Sequence, residues 1–331
     1  MSKTKHSSYK KLSSLLKSSE DVFEVQILER ILSDYNSYHE NNFKKLEELS
    51  KNRNEICPYC SSKSVMKYGK HVNGTQRYRC KECDKIFNFA TNSLFFSSKV
   101  NIKAWFAFLE CILSGTSVSA ACITAKISAP TGSSWMKKIF AALRSYQENI
   151  VLGNTVYIDE TYVHEDKSKI FYFEEVGKIK KVKKQPRGIS KNKICIILAT
   201  DTKKSFAEIV NHGRPKRAKN YEICKKHIME NTNLIGDEDT SLTYTAKEMN
   251  LNRTMIKSNT YEAYETLAPI DQLCNRFKFF IDKHRGFKKD ILQDYINLFI
   301  FIDNEMHNEN DLYLVTIKLL KLILECKKSG L

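Results

Sequence analysis

The sequence predicts an α/β chain in three working parts: a small metal-clasped β-module, a short all-helical module, and a larger domain built on a sheet. Three observations carry this prediction. Two Cys-x-x-Cys pairs, Cys57 with Cys60 and Cys80 with Cys83, stand nineteen residues apart around two alternating segments. Three amphipathic stretches separated by turn and capping signals follow, up to about residue 147. From about residue 155, apolar runs of strand length give way to helical periodicity and back again.

The bulk composition allows this architecture and narrows the class of partner. At 331 residues and 42% hydrophobic content the chain can bury a core in two or three domains. Its 54 Lys and Arg outnumber 38 Asp and Glu, a formal charge of +16 that favours a polyanion, most simply nucleic acid. A membrane surface is the weaker partner, because the charge is spread along the chain and not gathered beside an apolar anchor. No apolar run reaches the roughly 18 to 20 residues that span a bilayer, and the start MSKTKHSSYKKLSS lacks a signal-like apolar centre. A cytoplasmic, nucleoid-associated protein is therefore expected. There the ten cysteines stay reduced, and Cys111, Cys122, Cys195, Cys224, Cys274 and Cys326 read as small core residues.

Residues 1–53 read as an N-terminal helical segment, Ser- and Lys-rich and frayed over its first twenty residues, then amphipathic. Residues 54–98 hold the clasp. Each short Cys pair sits on a tight turn that aims two sulfurs at one ion, and two such turns complete the tetrahedron of a structural Zn2+ site. SVMKYGK and TQRYRC alternate as two short strands, joined around Val72 to Gly74. This describes a zinc ribbon, with metal supplying the folding energy that so small a module lacks. Lys67, Lys70, Arg77 and Arg79, interleaved with Tyr68 and Tyr78, suit phosphate contact and stacking on DNA. A knob that only docks on protein is the alternative.

Residues 99–150 read as three helices with a short second one, the order of a helix-turn-helix. Breaks are expected at Gly115 with Thr116 and from Ser128 to Gly132, so that a last helix begins near Ser133. Trp135 is expected to pack, and Lys137, Lys138 and Arg144 to meet phosphates. A plain three-helix bundle would show the same pattern.

Residues 151–305 run strand, strand, strand, helix, strand, helix, strand, helix, which is the element order of an RNase H-like fold. TVYIDETYV places acids inside an apolar strand, which is costly unless something compensates them. If a neighbouring strand ends with Asp237 and a helix starting near Pro269 brings Asp271, then Asp159, Asp237 and Asp271 form an oxygen cage suited to Mg2+ or Mn2+. Two such ions would serve in-line displacement at a phosphodiester. Lys278, seven residues beyond Asp271 and so on the same helical face, would hold a phosphate. Each acid also has a local reading: an edge or bulge at Asp159 and Glu160, a turn at Asp237, a first-turn acid at Asp271. The basic stretch 179–193 reads as a loop over this face, and residues 306–331 as a C-terminal packing helix.

The ribbon CPYCSSKSVMKYGK with QRYRCKECDKIFN, then IDETYV, RGISKNKICIILATD, IGDED and IDQLCNRFKFFIDKHRGFKKDILQDYINLF, together resemble the ISXO-like insertion-sequence transposases. These are DDE-type enzymes with an N-terminal zinc ribbon, and the resemblance runs in order from about residue 55 to 303. It implies binding of terminal inverted repeats in double-stranded DNA, Mg2+-dependent cleavage of DNA ends, and strand transfer by a homodimer or higher assembly. Residue by residue, Asp159 and Asp237 match the first two acids, Asp271 falls at the third position, and Lys278 matches the family's Lys. Arg187 with Gly188 matches its Arg-Gly, with a phosphate contact implied for Arg187. The chain departs from that pattern at Cys274 and Asn275, where a His-Ser pair is usual. Glu262 and Glu265 are substitute third ligands. A non-catalytic zinc-ribbon DNA-binding protein derived from a transposase is the alternative, and a stand-alone RNase H-like nuclease a third.

Overall fold

The computed structural model describes residues 55–71, 76–94, 102–164, 193–257, 260–284 and 289–326. The expected N-terminal helices, the turn at Val72–Gly74, and the basic stretch with Arg187 and Gly188 lie outside these residues. Two compact units divide the chain, residues 1–91 and 92–331.

In the first unit, β1 (Val65–Lys70) pairs antiparallel with β2 (Gln76–Cys80), matching the two expected strands, and β2 pairs with a two-residue β3 (Ile86–Phe87). The alternation could not show β3, because two residues make no period. Its core is Cys57, Cys80 and Phe87, flanked by Val65, Tyr78 and Cys83. Tyr78 stacks on Phe87 at 5.9 Å between centroids.

The second unit opens with α1 (Ile102–Leu113), α2 (Val118–Ala125) and α3 (Ala129–Leu143). Ser117 caps α2 through the Ala120 N–H, and Ser128 caps α3 through the Thr131 N–H, with Pro130 in the first turn where its missing N–H costs nothing. This corrects the expected start at Ser133 by one turn. Gly132 is no turn residue: a Cβ there would lie 2.2 Å from Cys122 Sγ, so glycine lets α2 and α3 approach. Trp135 packs, 3% exposed, its indole stacked on Trp105 at 3.8 Å.

The sheet follows: β4 (Thr155–His164), β5 (Lys193–Thr200) and β6 (Ser205–His212), then α4 (Arg217–His227), β7 (Asn233–Gly236), α5 (Thr240–Glu248) and β8 (Asn252–Met255). Strand order is β6-β5-β4-β7-β8. The β4–β5 and β5–β6 pairs are antiparallel, and β4–β7 and β7–β8 are parallel. That is the RNase H-like arrangement, placing the domain in the predicted α/β class. β5 is buried from Ile194 to Ala199, as a central strand covered on both faces must be.

Helices α6 (Tyr261–Thr266), α7 (Ala268–Lys283), α8 (Leu292–Glu309) and α9 (Leu312–Glu325) complete the unit. α7 packs on β4 and β5, α8 on β6 and α3, and α9 on α1, α3 and α8. The edge strand β6 is closed by side-chain amides. Asn304 bonds both backbone groups of Ser205 at 2.7 and 3.0 Å, Gln147 both of Ala207 at 2.8 and 2.9 Å, and Gln293 Oε1 accepts from the Ile209 N–H at 3.1 Å. A free edge that would invite strand addition is thereby occupied. Among the described residues no helix is long and apolar enough to cross a membrane.

Candidate active site

The cysteine clasp is built from two copies of one turn. Cys57 N–H donates to Ser62 O and Ser61 N–H to Cys57 O; Cys80 N–H donates to Lys85 O and Asp84 N–H to Cys80 O. Ser61 and Asp84, each the fourth residue after its cysteine, both adopt φ of 60°. The sulfurs of Cys57, Cys60, Cys80 and Cys83 lie within 4.8 Å of one another. Backbone N–H groups of Cys83 and Glu82 hold the Cys80 thiol down at about 7. Cys60 is pushed up to about 12: the Ser62 N–H favours its thiolate, but desolvation and three neighbouring thiols outweigh it. Four thiolates crowd together stably only around a cation, and this donor set fits zinc.

On the ribbon's surface, the guanidinium groups of Arg77 and Arg79 stand 5.7 and 5.5 Å from the Tyr68 ring centroid. Arg79 is also bidentate to Asp84 at 2.6 Å. In the other unit, Lys137 and Arg144 are exposed on α3 and its C-cap, and Lys138 Nζ lies 5.7 Å from the Trp105 ring.

The carboxylates gather at the centre of the sheet. Asp159 sits opposite Leu198 in β4, and β7 pairs with β4 only as far as Tyr157 opposite Ile235. Beyond that point no β7 residue is paired with β4, and the carboxylates of Asp159 and Glu160 both come close to Asp237. One carboxylate oxygen from each of the three lies within 4.8 Å of the others. Gly236 makes the approach feasible, since a Cβ there would meet Ile158 O at 2.6 Å.

Each acid is held by its own partners. Asp159 Oδ1 accepts from the Glu160 N–H at 2.8 Å, and its Oδ2 lies 3.9 Å from the Cys274 thiol. Glu160 Oε1 accepts from Asn220 Nδ2 at 3.0 Å and Ser241 Oγ at 3.2 Å, tying β4 to α4 and α5. Asp237 Oδ1 accepts from the Asp239 N–H at 3.1 Å, while Asp239 itself caps α5. From β8, Arg253 Nη2 donates to Asp237 O and Nη1 to Leu234 O.

Burial, and then the charge of Asp237, raise Asp159 to about 6, with Asp271 adding and Lys278 opposing. Burial and the charges of Asp239, Asp159 and Asp237 raise Glu160 to about 8. Such a cluster of hard oxygens, repelling one another in a low-dielectric pocket, fits a divalent cation of the Mg2+ type.

Asp271 lies in the first turn of α7, exposed, three residues before Cys274 and seven before Lys278 on one helical face. Its charge reaches Asp159, but its carboxylate is not in the group of three. Glu160 is the third member of that group. The sequence offered Glu160 only as part of an edge or bulge beside Asp159, whereas the structure brings its carboxylate to Asp237. The side chain of Glu262 lies outside the described residues, and Glu265 is exposed on α6.

Comparisons with known proteins bear on both sites. Residues 54–84 match the family model described as the InsA N-terminal domain, a zinc ribbon. A relative from Halobacterium salinarum, "Uncharacterized protein in transposable element ISH50", is 34% identical over 108 residues, 32% of this chain and 36% of that protein. The chain thus spans about a third of the length of that relative. Among solved structures, a pre-cleavage Mos1 transpososome overlaps 68% of this chain and 78% of its own at 11% identity and a TM-score of 0.29. A Mos1 transposase paired-end complex with the left transposon end gives 11% identity, 62% and 76% coverage and a TM-score of 0.23. Overlaps that low carry no functional argument. The ribbon match and the transposable-element relative agree with the resemblance to insertion-sequence transposases that the motifs carry.

Proposed function

We propose that this chain is an insertion-sequence transposase, in which the residues around Asp159 cut and join DNA ends while the ribbon and helical modules bind them. The observation that supports it is the meeting of Asp159, Glu160 and Asp237 within 4.8 Å on an RNase H-like sheet, beside a helix carrying Asp271 and Lys278.

In this reading Asp159 and Asp237 hold Mg2+ or Mn2+ with Glu160 or Asp271 completing the set. When bound, such ions activate water or a 3'-hydroxyl and stabilise the leaving oxygen of an in-line displacement. The chain's own residues do the rest. Cys274, kept a thiol by burial, orients Asp159 through its S–H. Asn220 and Ser241 fix Glu160, and Arg253 fixes the backbone of Asp237. Lys278 takes a non-bridging phosphate oxygen as a point charge.

The ribbon, residues 54–98, with Arg77 and Arg79, and the helical module, 99–150, with Lys137 and Lys138, bind double-stranded ends. Arg187 adds a phosphate contact, and residues 151–305 carry the chemistry. Strand transfer requires two ends held together, so a homodimer or larger assembly on DNA is part of the proposal.

The test uses a duplex carrying the repeats that flank the gene, in Mg2+. The parent chain nicks and joins it, Asp159→Asn loses both activities, and binding measured by anisotropy stays the same. Equal cleavage by Asp159→Asn sinks the proposal. The position of Asp271 outside the group of three favours a second reading, a transposase-derived zinc-ribbon DNA-binding protein without catalysis. That reading expects the parent to bind repeats and never to cut them.

A further inference from the structure

Between β6 and α4 the chain reads Gly213-Arg214-Pro215-Lys216-Arg217, a run the functional reading above does not use. The turn is built with care. Asn211 Nδ2 donates to His212 O and Arg214 O, both at 2.7 Å, and Asn211 Oδ1 accepts from the Lys216 N–H at 3.0 Å. Gly213 takes a φ of 75°, where a side chain would strain, and its N–H donates to Lys193 O at 2.8 Å.

This fixed backbone presents three cations. Arg214, Lys216 and Arg217 are exposed and make no ion pair with any described residue, whereas Lys219, two residues on, is paired with Glu222 at 3.2 Å. No acid lies in the first turn of α4, so these cations face the positive end of the helix dipole, an arrangement that costs stability without an anion. One helical turn further, about 5 Å along the axis, Asn220 bonds Glu160. The cationic turn therefore leads into the helix that holds Glu160.

We propose that this turn is a phosphate-binding site for duplex DNA passing over the acid cluster. It rests on the DNA reading of the preceding section and adds a surface to it. Side chains that reach only backbone phosphates read no sequence, so the contact serves any duplex, repeat or target alike. An acidic polypeptide would also satisfy three cations, but the adjoining carboxylates are arranged for a phosphodiester, which favours DNA.

The test measures the affinity of the full zinc-loaded chain for a random-sequence duplex as a function of salt. Each phosphate contact contributes about 0.9 to the slope of log affinity against log salt. Arg214→Ala/Lys216→Ala/Arg217→Ala should lower that slope by about 2 to 3, with circular dichroism and zinc content unchanged. Should that variant misfold, Arg214→Gln/Arg217→Gln should lower it by about 2. Lys203→Ala/Lys204→Ala, exposed cations in the hairpin at the other end of β5 and β6, should leave it where it was. An unaltered slope in the turn variants, or an equal fall in the hairpin variant, overturns the proposal. So does polyglutamate displacing the duplex at equal charge. A parent chain that binds no duplex at all retires the DNA reading itself, a different result from parent binding that the turn variants do not weaken.

Discussion

The buried imidazole of His227 shows how one side chain can hold several elements. Its Nδ1 faces Ile150 O and its Nε2 faces Glu208 Oε1, each at 2.8 Å, and its ring stacks on Phe206. Lys226 adds a second contact to Glu208 at 2.8 Å. Burial alone would raise the Glu208 carboxyl, but the bonds from His227 and Lys226 outweigh it and hold it down to about 2. A carboxylate depressed on folding stabilises the fold above its unfolded pKa, and that contribution is lost as pH falls toward the folded value. The window here runs from the ordinary value of 4.5 down to about 2. Glu208→Gln should therefore cost about 1 to 2 kcal/mol at pH 7, below the full shift because solvent screens part of the carboxylate. In urea unfolding the gap between parent and variant should close as pH drops through that window. A gap of the same size at pH 7 and pH 2.5 would show that shape, not charge, sets the cost.

At the scale of elements, packing decides where helices start and how closely they meet. The Cβ position of Gly132 against Cys122 Sγ predicts that Gly132→Ala destabilises the larger unit by about 1 to 3 kcal/mol through overpacking. Cys122→Ala/Gly132→Ala should recover most of that loss, because the sulfur that clashes is gone, and a double-mutant cycle by chemical unfolding reads the coupling directly. Additive costs would refute the contact. The same glycine marks where sequence reading fell short. A Gly after Ser-Ala-Pro-Thr reads as a turn on local grounds, and only the neighbouring helix explains it. The strands, by contrast, were legible, because Ile194 to Ala199 and the run around Ile158 declare burial in their own composition. Asp159 was legible as an acid that needs a reason, and Asp237 as the acid that ends a strand. Glu160, Gly236 and Arg253 were not, since their roles follow from where β7 stops and from what β8 carries across it. No local pattern encodes that β7 stops pairing with β4 at Tyr157, three residues before Glu160.

At the scale of the whole molecule, the two compact units rest on different sources of stability. The larger unit buries a sheet between helices, with Phe108, Phe206, Phe277 and Phe301 among its fully enclosed side chains. The ribbon encloses little besides Cys57, Cys80 and Phe87, and a core so small cannot offset the entropy of ordering its chain. Metal ligation, worth roughly 10 kcal/mol or more in small zinc modules, must supply the difference. Removing zinc should then unfold the ribbon alone. Calorimetry of the chelated chain should retain the main transition at the parent temperature, while Tyr59, Tyr68 and Tyr78 lose their native fluorescence and NMR dispersion. Stoichiometric zinc should restore both, and Cys60→Ser should resist restoration at the same zinc concentration. The +16 charge of the chain leaves the outcome open to competition from DNA, so the experiment is run without it. If chelation instead lowers a single cooperative transition for the entire chain, the metal stabilises more than its own module, and the division into two independently stabilised units fails.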